Sequence, residues 1–417
     1  MSLWRNITVG NLGEIITGYT PPTKNAEYFG DVYPFITPTD ITIYSRTVQT
    51  ERFLSQEGYE YNKNRLLPPN AVCVTCIASI GKICMTTVPS VTNQQINSIV
   101  VNQNKYDPYF VYYLLITKTD VIQSVANSAT TPIVNKSTFA SINVCVPPLP
   151  EQTQIANFLD RKTEQIDELI RIKERQIELL QEQRTALINQ AVTKGLDPHV
   201  EMKPSGLEWI GEIPKDWIIT RLKYISNIPV TYGLNIESDK YTVEGIRLIR
   251  ITDIGEGGSL QQKGVYLPED DVPQEQMLNN YDLLLSRSGA TVGKSYLHLK
   301  KGKYTSAGYL VRFNFGSYYT SKFIYYVTLS HFYRNWLEQQ IIISTIQNVN
   351  GEKYSNFQLP IPQPQEQKQI TNFLDSITEQ IDGLISTEHR KIELLKEYRQ
   401  SLISEAVTGK IDVRNEV

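Results

Sequence analysis

The sequence predicts an α+β protein organised as a pseudo-twofold tandem repeat, in which two globular domains of mixed α/β structure are separated by two long antiparallel α-helices. A stretch of 43 residues occurs twice, both copies have helical periodicity, and each copy closes a block of about 150 less similar residues. We therefore divide the chain into a first domain at 1–150, a central helix at 151–194, a linker at 195–216, a second domain at 217–364 and a C-terminal helix at 365–409.

The duplicated stretch runs from Glu151 to Thr193 and again from Glu366 to Thr408, and 27 of its 43 positions are identical without a gap. Its apolar residues recur every three, four and seven positions, which is the period of an α-helix. A long helix with one apolar stripe needs a partner, and the other copy is the obvious candidate. The residues expected on the packed or partner-binding faces are Ile155, Phe158, Leu159, Ile166, Leu180, Ile370, Phe373, Leu374, Ile381 and Leu395.

Two alternatives for the helices stay open. An ordinary coiled-coil spacer is the plainer interpretation of two such stretches. A kink at Asp160–Thr163 would split a short first helix from the central one. The linker at 195–216 is rich in proline and glycine and has no periodicity, which indicates a returning connection rather than a structured domain.

The composition indicates a globular protein of a reducing compartment. Of the 417 residues, 41% are hydrophobic and 20% are charged, and no run of about 18 apolar residues occurs. The N-terminus lacks a signal-peptide pattern and the four cysteines lack the spacing of a disulfide framework, so we expect a soluble, cytoplasmic protein without membrane contact. The net charge of -3 argues against tight DNA binding by the chain alone, but it allows a local basic face or a partner that supplies phosphate contacts.

The two blocks that precede the long helices are related by sparse matches in conserved order and spacing. The matches are Trp4 with Trp217, Ile36–Ile41 with Ile249–Ile254, Ile80–Lys82 with Val292–Lys294, Phe110–Tyr113 with Phe323–Tyr326, Thr130 with Thr345, and Val134–Asn135 with Val349–Asn350. Strands are predicted near Val32–Ile36, Ala71–Ile77, Ile96–Val101 and Ile142–Val146, and a helix over Asp107–Thr119. Because the helices stay more alike than the blocks, the pattern fits one scaffold that carries two domains with different targets.

The segment Ser288–Ser295 resembles a phosphate-cradling loop, but three residues separate its glycines where that loop has four. We prefer a tight turn that holds Lys294, together with Arg287, near a phosphate backbone. A plain surface turn is the alternative.

Three cysteines in the first block suggest a metal site at first sight. They are Cys73, Cys76 and Cys84. The second block has Leu285 and Ser288 at the positions of the first two. A zinc site on which the fold depended would be present in both copies, so buried strand cysteines are the better interpretation.

The sequence contains no plausible catalytic constellation. The segment Asp107–Phe110 is similar to the base-gripping loop of adenine methyltransferases, but it has one proline rather than two and no glycine-rich cofactor loop precedes it. It more simply begins the predicted helix. The four histidines lie far apart in the sequence without nucleophile spacing around them.

The remaining chemistry is that of a polar surface. Many of the 25 tyrosines stand beside amide, hydroxyl or basic side chains. Amides and hydroxyls read base edges, whereas arginine and lysine position phosphates, although tyrosine-rich surfaces also serve protein recognition. The residues that we expect to contact DNA are Lys82, Thr130, Thr131, Arg287, Ser288 and Lys294.

The whole pattern resembles the specificity subunit of type I restriction-modification systems. The resemblance covers nearly the whole chain and is most specific in the two long helices and in the linker segment Gly206–Pro214, which Trp217 follows. It implies that each globular block is a target recognition domain, which reads one half of an asymmetric, bipartite site in double-stranded DNA. It also implies that the paired helices set the spacer between the half-sites and dock two methyltransferase (modification) subunits.

The same resemblance implies that the chain is not an enzyme by itself. It would be the non-catalytic subunit of a site-specific adenine methyltransferase and ATP-dependent endonuclease, which restriction (helicase-nuclease) subunits complete. S-adenosylmethionine, ATP and magnesium would be used by the partner subunits, and no cofactor or metal is expected on this chain. The alternative is a two-headed protein-binding coiled-coil scaffold without a nucleic-acid role, and a self-contained methyltransferase would need a cofactor loop that we do not find.

Overall fold

The computed structural model describes residues 4–42, 45–126, 132–342 and 348–413 of the chain. These residues belong to two compact units. Unit 1 comprises Met1–Lys173 with Arg390–Val417, and unit 2 comprises Glu174–His389. Both units mix helices with strands and each contains parts of the two long helices, which confirms the predicted fold class.

The globular part of unit 1 is built on a four-stranded antiparallel sheet. Its strands are β1 (Arg5–Thr8), β2 (Gly13–Thr17), β3 (Phe29–Gly30), β4 (Tyr33–Ile36), β5 (Phe53–Leu54), β6 (Val72–Thr75), β7 (Ile83–Met85), β8 (Val91–Thr92), β9 (Ile96–Val101) and β10 (Asn143–Val146). Its short helices are α1 (Gln56–Glu60), α2 (Pro108–Ile116), α3 (Thr119–Ser124) and α4 (Lys136–Ser141). The main sheet has the order β2-β9-β6-β7, a second has the order β3-β5-β4-β8 with β4 and β8 parallel, and β1 pairs with β10. The four predicted strands and the predicted helix are confirmed as β4, β6, β9, β10 and α2.

The central long helix, α5 (Leu149–Lys194), is continuous and has no break at Asp160–Thr163. Its residues up to Lys173 belong to unit 1 and the rest to unit 2. The second long helix, α10 (Pro364–Val407), is shared in the reverse sense, because its first part belongs to unit 2 and its last part to unit 1.

Unit 2 repeats the topology of unit 1. Its strands are β11 (Met202–Pro204), β12 (Glu212–Pro214), β13 (Ile218–Arg221), β14 (Thr231–Tyr232), β15 (Ile246–Ile249), β16 (Val265–Leu267), β17 (Asp282–Ser286), β18 (Ser295–Leu297), β19 (Tyr304–Ser306), β20 (Leu310–Asn314) and β21 (Gln358–Ile361). Its short helices are α6 (Leu222–Ile225), α7 (Tyr318–Val327), α8 (His331–Ile342) and α9 (Gly351–Ser355). The main sheet has the order β14-β20-β17-β18, a second has the order β16-β15-β19 with β15 and β19 parallel, and β13 pairs with β21. The connection that follows α5 holds a small hairpin, β11-β12.

In each of the two matched Val-Asn pairs, the valine is buried and the asparagine that follows it caps a helix. Asn135 accepts a hydrogen bond from the backbone N–H of Thr138 at 2.8 Å, and Asn350 accepts one from Lys353 at 2.9 Å. The valines that precede them are buried in the two domain cores. Each pair therefore begins a short helix (α4 or α9) and anchors it, which explains why the two residues recur together.

Each domain core is closed by the beginning of one long helix and the end of the other. In unit 1, Ile155 and Leu159 of α5 share a core with Ile403 of α10 and with the sheet and α2. In unit 2, Ile188 and Val192 of α5 share a core with Ile370 and Leu374 of α10. Each long helix therefore buries one part of its apolar stripe in the core of unit 1 and another part in the core of unit 2. This burial stabilises a helix that would be only marginally stable in isolation.

The long helices run antiparallel within each unit. In unit 1, Trp4 contacts both Glu151 at the start of α5 and Gly409 just after α10, and Asp167 bonds Arg399 at 2.9 Å further along. In unit 2, Trp217 likewise contacts both Glu366 at the start of α10 and Gly195 just after α5. Further along unit 2, Arg184 bonds Asp382 at 3.0 Å.

Candidate nucleic-acid interface

A turn after the central strand of each domain presents a lysine. In domain 1 the backbone N–H of Thr75 bonds the carbonyl of Lys82 at 2.9 Å, and in domain 2 Ser286 bonds Lys294 in the same way at 2.8 Å. The glycine before each lysine has a positive φ, and a Cβ on Gly293 would lie 2.1 Å from Leu337. The two turns are therefore equivalent, and each requires glycine for its backbone conformation.

Both lysines are half-buried and hold a neighbouring loop. The ammonium of Lys82 donates to the carbonyl of Pro38 at 2.9 Å, and that of Lys294 donates to the carbonyl of Ile254 at 3.3 Å. These carbonyls belong to the matched Ile36–Ile41 and Ile249–Ile254 segments. An ammonium has three donors, so each lysine keeps capacity for a second acceptor such as a phosphate oxygen.

The matched loops are closed by an aspartate in both domains. Asp40 accepts from the backbone N–H and the hydroxyl of Thr37, both at 2.8 Å. Asp253 is buried and accepts from the backbone N–H of Arg250 at 3.0 Å. Its carboxylate also pairs with the side chains of Arg250 at 2.9 Å and Arg247 at 3.4 Å. The carboxylates fold the loops back on themselves, which keeps the carbonyls in place for the lysines.

The guanidinium of Arg287 lies between two aromatic rings. Its central carbon is 5.0 Å from the ring centre of Tyr232 and 5.8 Å from that of Tyr309. The adjacent Ser288 is half-buried and forms a β-bridge with Asn348. Thr130 and Thr131, the remaining predicted contacts, lie outside the described residues. Contact with DNA stays a prediction for all six residues that the sequence singled out.

The hydrogen-bond pattern corrects the alignment of the cysteines. The carbonyl of Cys76 accepts from Val134 at 2.8 Å, and that of Arg287 accepts from Val349 at 2.9 Å. Cys76 therefore corresponds to Arg287, not to Ser288, and Cys73 corresponds to Leu284, not to Leu285. The turn in domain 2 is one residue longer, which displaced the match. The three cysteines are buried, as predicted, and Cys73 and Cys84 are neighbours across β6 and β7, whereas Cys76 follows the end of β6. Burial raises the pKa of the Cys76 thiol to about 11.

The helix residues predicted to pack are mostly buried. Ile155, Phe158, Leu159, Ile166, Ile370, Leu374 and Ile381 are buried, whereas Leu180 and Leu395 are half-buried. Phe373 differs from its counterpart: it is 39% exposed, whereas Phe158 is 5% exposed. Whether any of these residues contacts a partner subunit stays a prediction.

Sequence reasoning missed a tyrosine that fastens each domain to its own long helix. The hydroxyl of Tyr113 donates to Asp160 at 2.7 Å, and that of Tyr326 donates to Asp375 at 2.5 Å. A basic residue completes each site, because Arg46 pairs with Asp160 and Lys322 pairs with Asp375 at 3.0 Å. Burial raises the pKa of both tyrosines above the ordinary value, so the phenols stay protonated and act as donors. Identity of tyrosine and aspartate in both copies was the available sequence signal.

Two other classes of site are absent from the described residues. No group of three or more His, Cys, Asp or Glu side chains in ranges 4–42, 45–126, 132–342 and 348–413 is arranged to hold a metal ion. Among the helices of the same ranges, none combines the length and the apolar composition needed to cross a membrane.

Comparison with known proteins points to one family. The model of the type I restriction modification DNA specificity domain matches this chain twice, at residues 1–180 and 214–395. The MjaVIII specificity subunit of a type I restriction enzyme from Methanocaldococcus jannaschii is 26% identical over 99% of this chain and 94% of its own. The EcoBI specificity subunit from Escherichia coli is 24% identical over 98% of this chain and 86% of its own.

A solved structure shares the fold. A chain from a structure described as the basis of complex assembly and conformational transition of the type I R-M system superposes with a TM-score of 0.73. The match covers 97% of each chain at 17% sequence identity. At this identity the likeness concerns the fold alone.

Proposed function

This chain belongs to the family of type I restriction modification DNA specificity domains, and we propose that it is the DNA-recognition subunit of such a system. Each globular domain reads one half of an asymmetric, bipartite site in double-stranded DNA. The chain itself is non-catalytic. The observation that carries the proposal is the double match of a DNA specificity domain, once in each half of a duplicated fold.

The divergence between the two domains supports an asymmetric target. The sheets have the same order, but equivalent positions differ in chemistry, as Cys76 and Arg287 do. Base edges are read by particular side chains, so unlike residues at equivalent positions select unlike bases. A symmetric target would need similar residues in both domains.

The partners in this proposal are two methyltransferase subunits and the restriction subunits. They carry the adenine methylation and the ATP-dependent cleavage and use S-adenosylmethionine, ATP and magnesium. The net charge of -3 supports shared binding, because the partners then supply phosphate contacts that this chain lacks. Three buried free thiols fit a reducing compartment, and we place the complex in the cytoplasm.

Binding by the reconstituted complex tests the proposal. The chain would be assembled with the methyltransferase subunit of its own system and presented with a library of random duplexes in a mobility-shift selection. We expect two short preferred motifs separated by unselected positions, with much weaker selection by the chain alone. Equal retention of all duplexes by the assembled complex would refute the proposal.

The spacer role of the helices has its own test. Inserting one heptad into α5 and one into α10 adds about 10 Å to each helix, since each residue adds about 1.5 Å. We expect the motifs to stay the same while the unselected gap lengthens by about three base pairs, because one base pair spans about 3.4 Å. A gap of unchanged length would show that the helices do not set it.

A further inference from the structure

We propose that Arg287 reads a guanine in the half-site bound by the second domain. The first domain has the buried Cys76 at the equivalent position, so the two half-sites differ there. The inference rests on the proposed function and adds to it a named residue and a named base.

The guanidinium of Arg287 is held in place by its neighbours and is preorganised for binding. Tyr232 and Tyr309 flank the guanidinium, at 5.0 and 5.8 Å from its central carbon. Among the residues that the structure describes, its Nε is buried and has no hydrogen-bond partner, so the two terminal nitrogens remain as the donors for a ligand. Guanine presents two acceptors in the major groove, O6 and N7, and a planar guanidinium can bond both at once.

The surrounding structure also fixes the backbone of Arg287 and the position of Tyr232. The backbone N–H of Arg287 donates to Tyr309 at 3.1 Å, and its carbonyl accepts from Val349 at 2.9 Å. The hydroxyl of Tyr232 accepts from the backbone N–H of Gly351 at 2.9 Å, in the first turn of α9. A Cβ on Gly351 would lie 2.8 Å from that hydroxyl, so glycine is needed for the tyrosine to reach it. A reader built on a strand end and a helix start keeps its geometry better than one on a loop.

Charge distinguishes Arg287 from three other arginines of the same domain. Arg247, Arg250 and Arg312 each pair with a carboxylate, at 3.4, 2.9 and 2.8 Å. Within the residues that the structure describes, Arg287 has no carboxylate partner. Aromatic faces attract a cation without neutralising it. The full positive charge therefore stays available to DNA.

The equivalent place in the first domain has different chemistry. Arg287 corresponds to the buried Cys76 and Tyr309 to Gln95, because the backbone N–H of Cys76 donates to the carbonyl of Gln95 as that of Arg287 donates to the carbonyl of Tyr309. The amide of Gln95 accepts from Asn93 at 2.8 Å, and the hydroxyl of Thr20 donates to Gln94. A buried thiol and an amide thus replace the arginine and the tyrosine of the second domain, and the guanidinium of Arg65 nearby is engaged by the backbone carbonyls of Thr17 and Gly18. Amide side chains form paired hydrogen bonds with adenine rather than with guanine, so we expect the first domain to select a different base at the equivalent position.

The test is selection from random duplexes by the complex assembled with its methyltransferase subunits. We compare the unaltered chain with Arg287→Gln, Arg287→Lys and the matched control Lys294→Ala. We expect the unaltered complex to prefer one guanine about 5- to 150-fold at one position of one half-site, the range of a bidentate pair. Arg287→Gln should lose this preference at that position alone. Arg287→Lys should also lose most of it, because an ammonium keeps the charge but not the fork.

The control variant Lys294→Ala defines the effect expected when a phosphate contact is lost. Lys294→Ala should weaken binding to all sequences alike and lower the salt slope by about one unit. If Arg287→Gln does the same, Arg287 contacts phosphate and the inference is wrong. It is also wrong if Arg287→Gln changes neither preference nor affinity. If the unaltered complex selects no sequence, the proposed function fails, and this inference with it. Circular dichroism melts of each variant would show whether a loss of binding comes from misfolding. If Arg287→Gln misfolds, the guanine preference of Arg287→Lys decides whether the inference is right.

Discussion

The buried ion pair between Asp282 and Arg312 offers the sharpest test of how the second domain is held together. The two side chains are 0% and 7% exposed, and Arg312 Nε lies 2.8 Å from the carboxylate. The carboxylate also accepts from the backbone N–H of Asn279 at 2.7 Å and from the side chain of Asn314 at 2.6 Å. It stands at the start of β17, the strand that leads to Arg287.

Removing one partner should cost far more than removing both. Asp282→Ala leaves a buried guanidinium without its carboxylate, and we expect unit 2 to lose about 3–5 kcal/mol of unfolding free energy. Arg312→Met leaves a buried carboxylate. Burial already raises the pKa of Asp282, so this variant should be destabilised less at acid pH, where the carboxyl can take up a proton. The double variant Asp282→Ala/Arg312→Met should be more stable than the sum of the single losses by about 1–3 kcal/mol.

The first domain shows that the fold does not require the pair. The equivalent positions there are Ala71 and Ser98, both buried. We would measure urea unfolding by tryptophan fluorescence, with hydrogen exchange of the β17 and β20 amides to assign the loss to unit 2. Strictly additive single losses, or a loss below about 1 kcal/mol for Asp282→Ala, would refute this account of the pair.

Two further predictions concern a histidine and a tryptophan. Burial lowers the pKa of His298 from 6.5 to about 4. The unfolded chain therefore binds the proton first, and the contribution of this residue is complete above pH 6.5 and lost as the pH falls towards 4. His298→Asn should flatten the pH dependence of unfolding in that window, and an unchanged slope would contradict the assignment. Trp217→Phe removes a 2.9 Å hydrogen bond to Glu366 and should cost about 1.5–3 kcal/mol of unfolding free energy. The control Trp4→Phe removes a longer bond of 3.3 Å and should cost less; the opposite order in urea unfolding would count against this reading.

The sequence was sufficient for features that depend on neighbours along the chain. Helical periodicity marked both long helices, because side chains three and four positions apart share a face of a helix. Alternation and turn residues located β4, β6, β9 and β10, and the match of Val134–Asn135 with Val349–Asn350 was visible in the sequence, although only the structure shows that both asparagines cap helices. These features are local, so one chain without relatives displays them.

The tertiary structure decided what brings distant residues together. No spacing in the sequence indicates that Arg287 lies between Tyr232 and Tyr309, because hydrogen-bonded sheet order, not chain order, sets those contacts. The motif alignment misplaced Cys76 by one residue, since an extra residue in a turn is invisible until backbone bonds define the register. The sequence by itself thus determined that two alike helices carry two unlike domains. Folding decided that each domain core takes the start of one helix and the end of the other, because only packing in three dimensions selects which apolar faces meet.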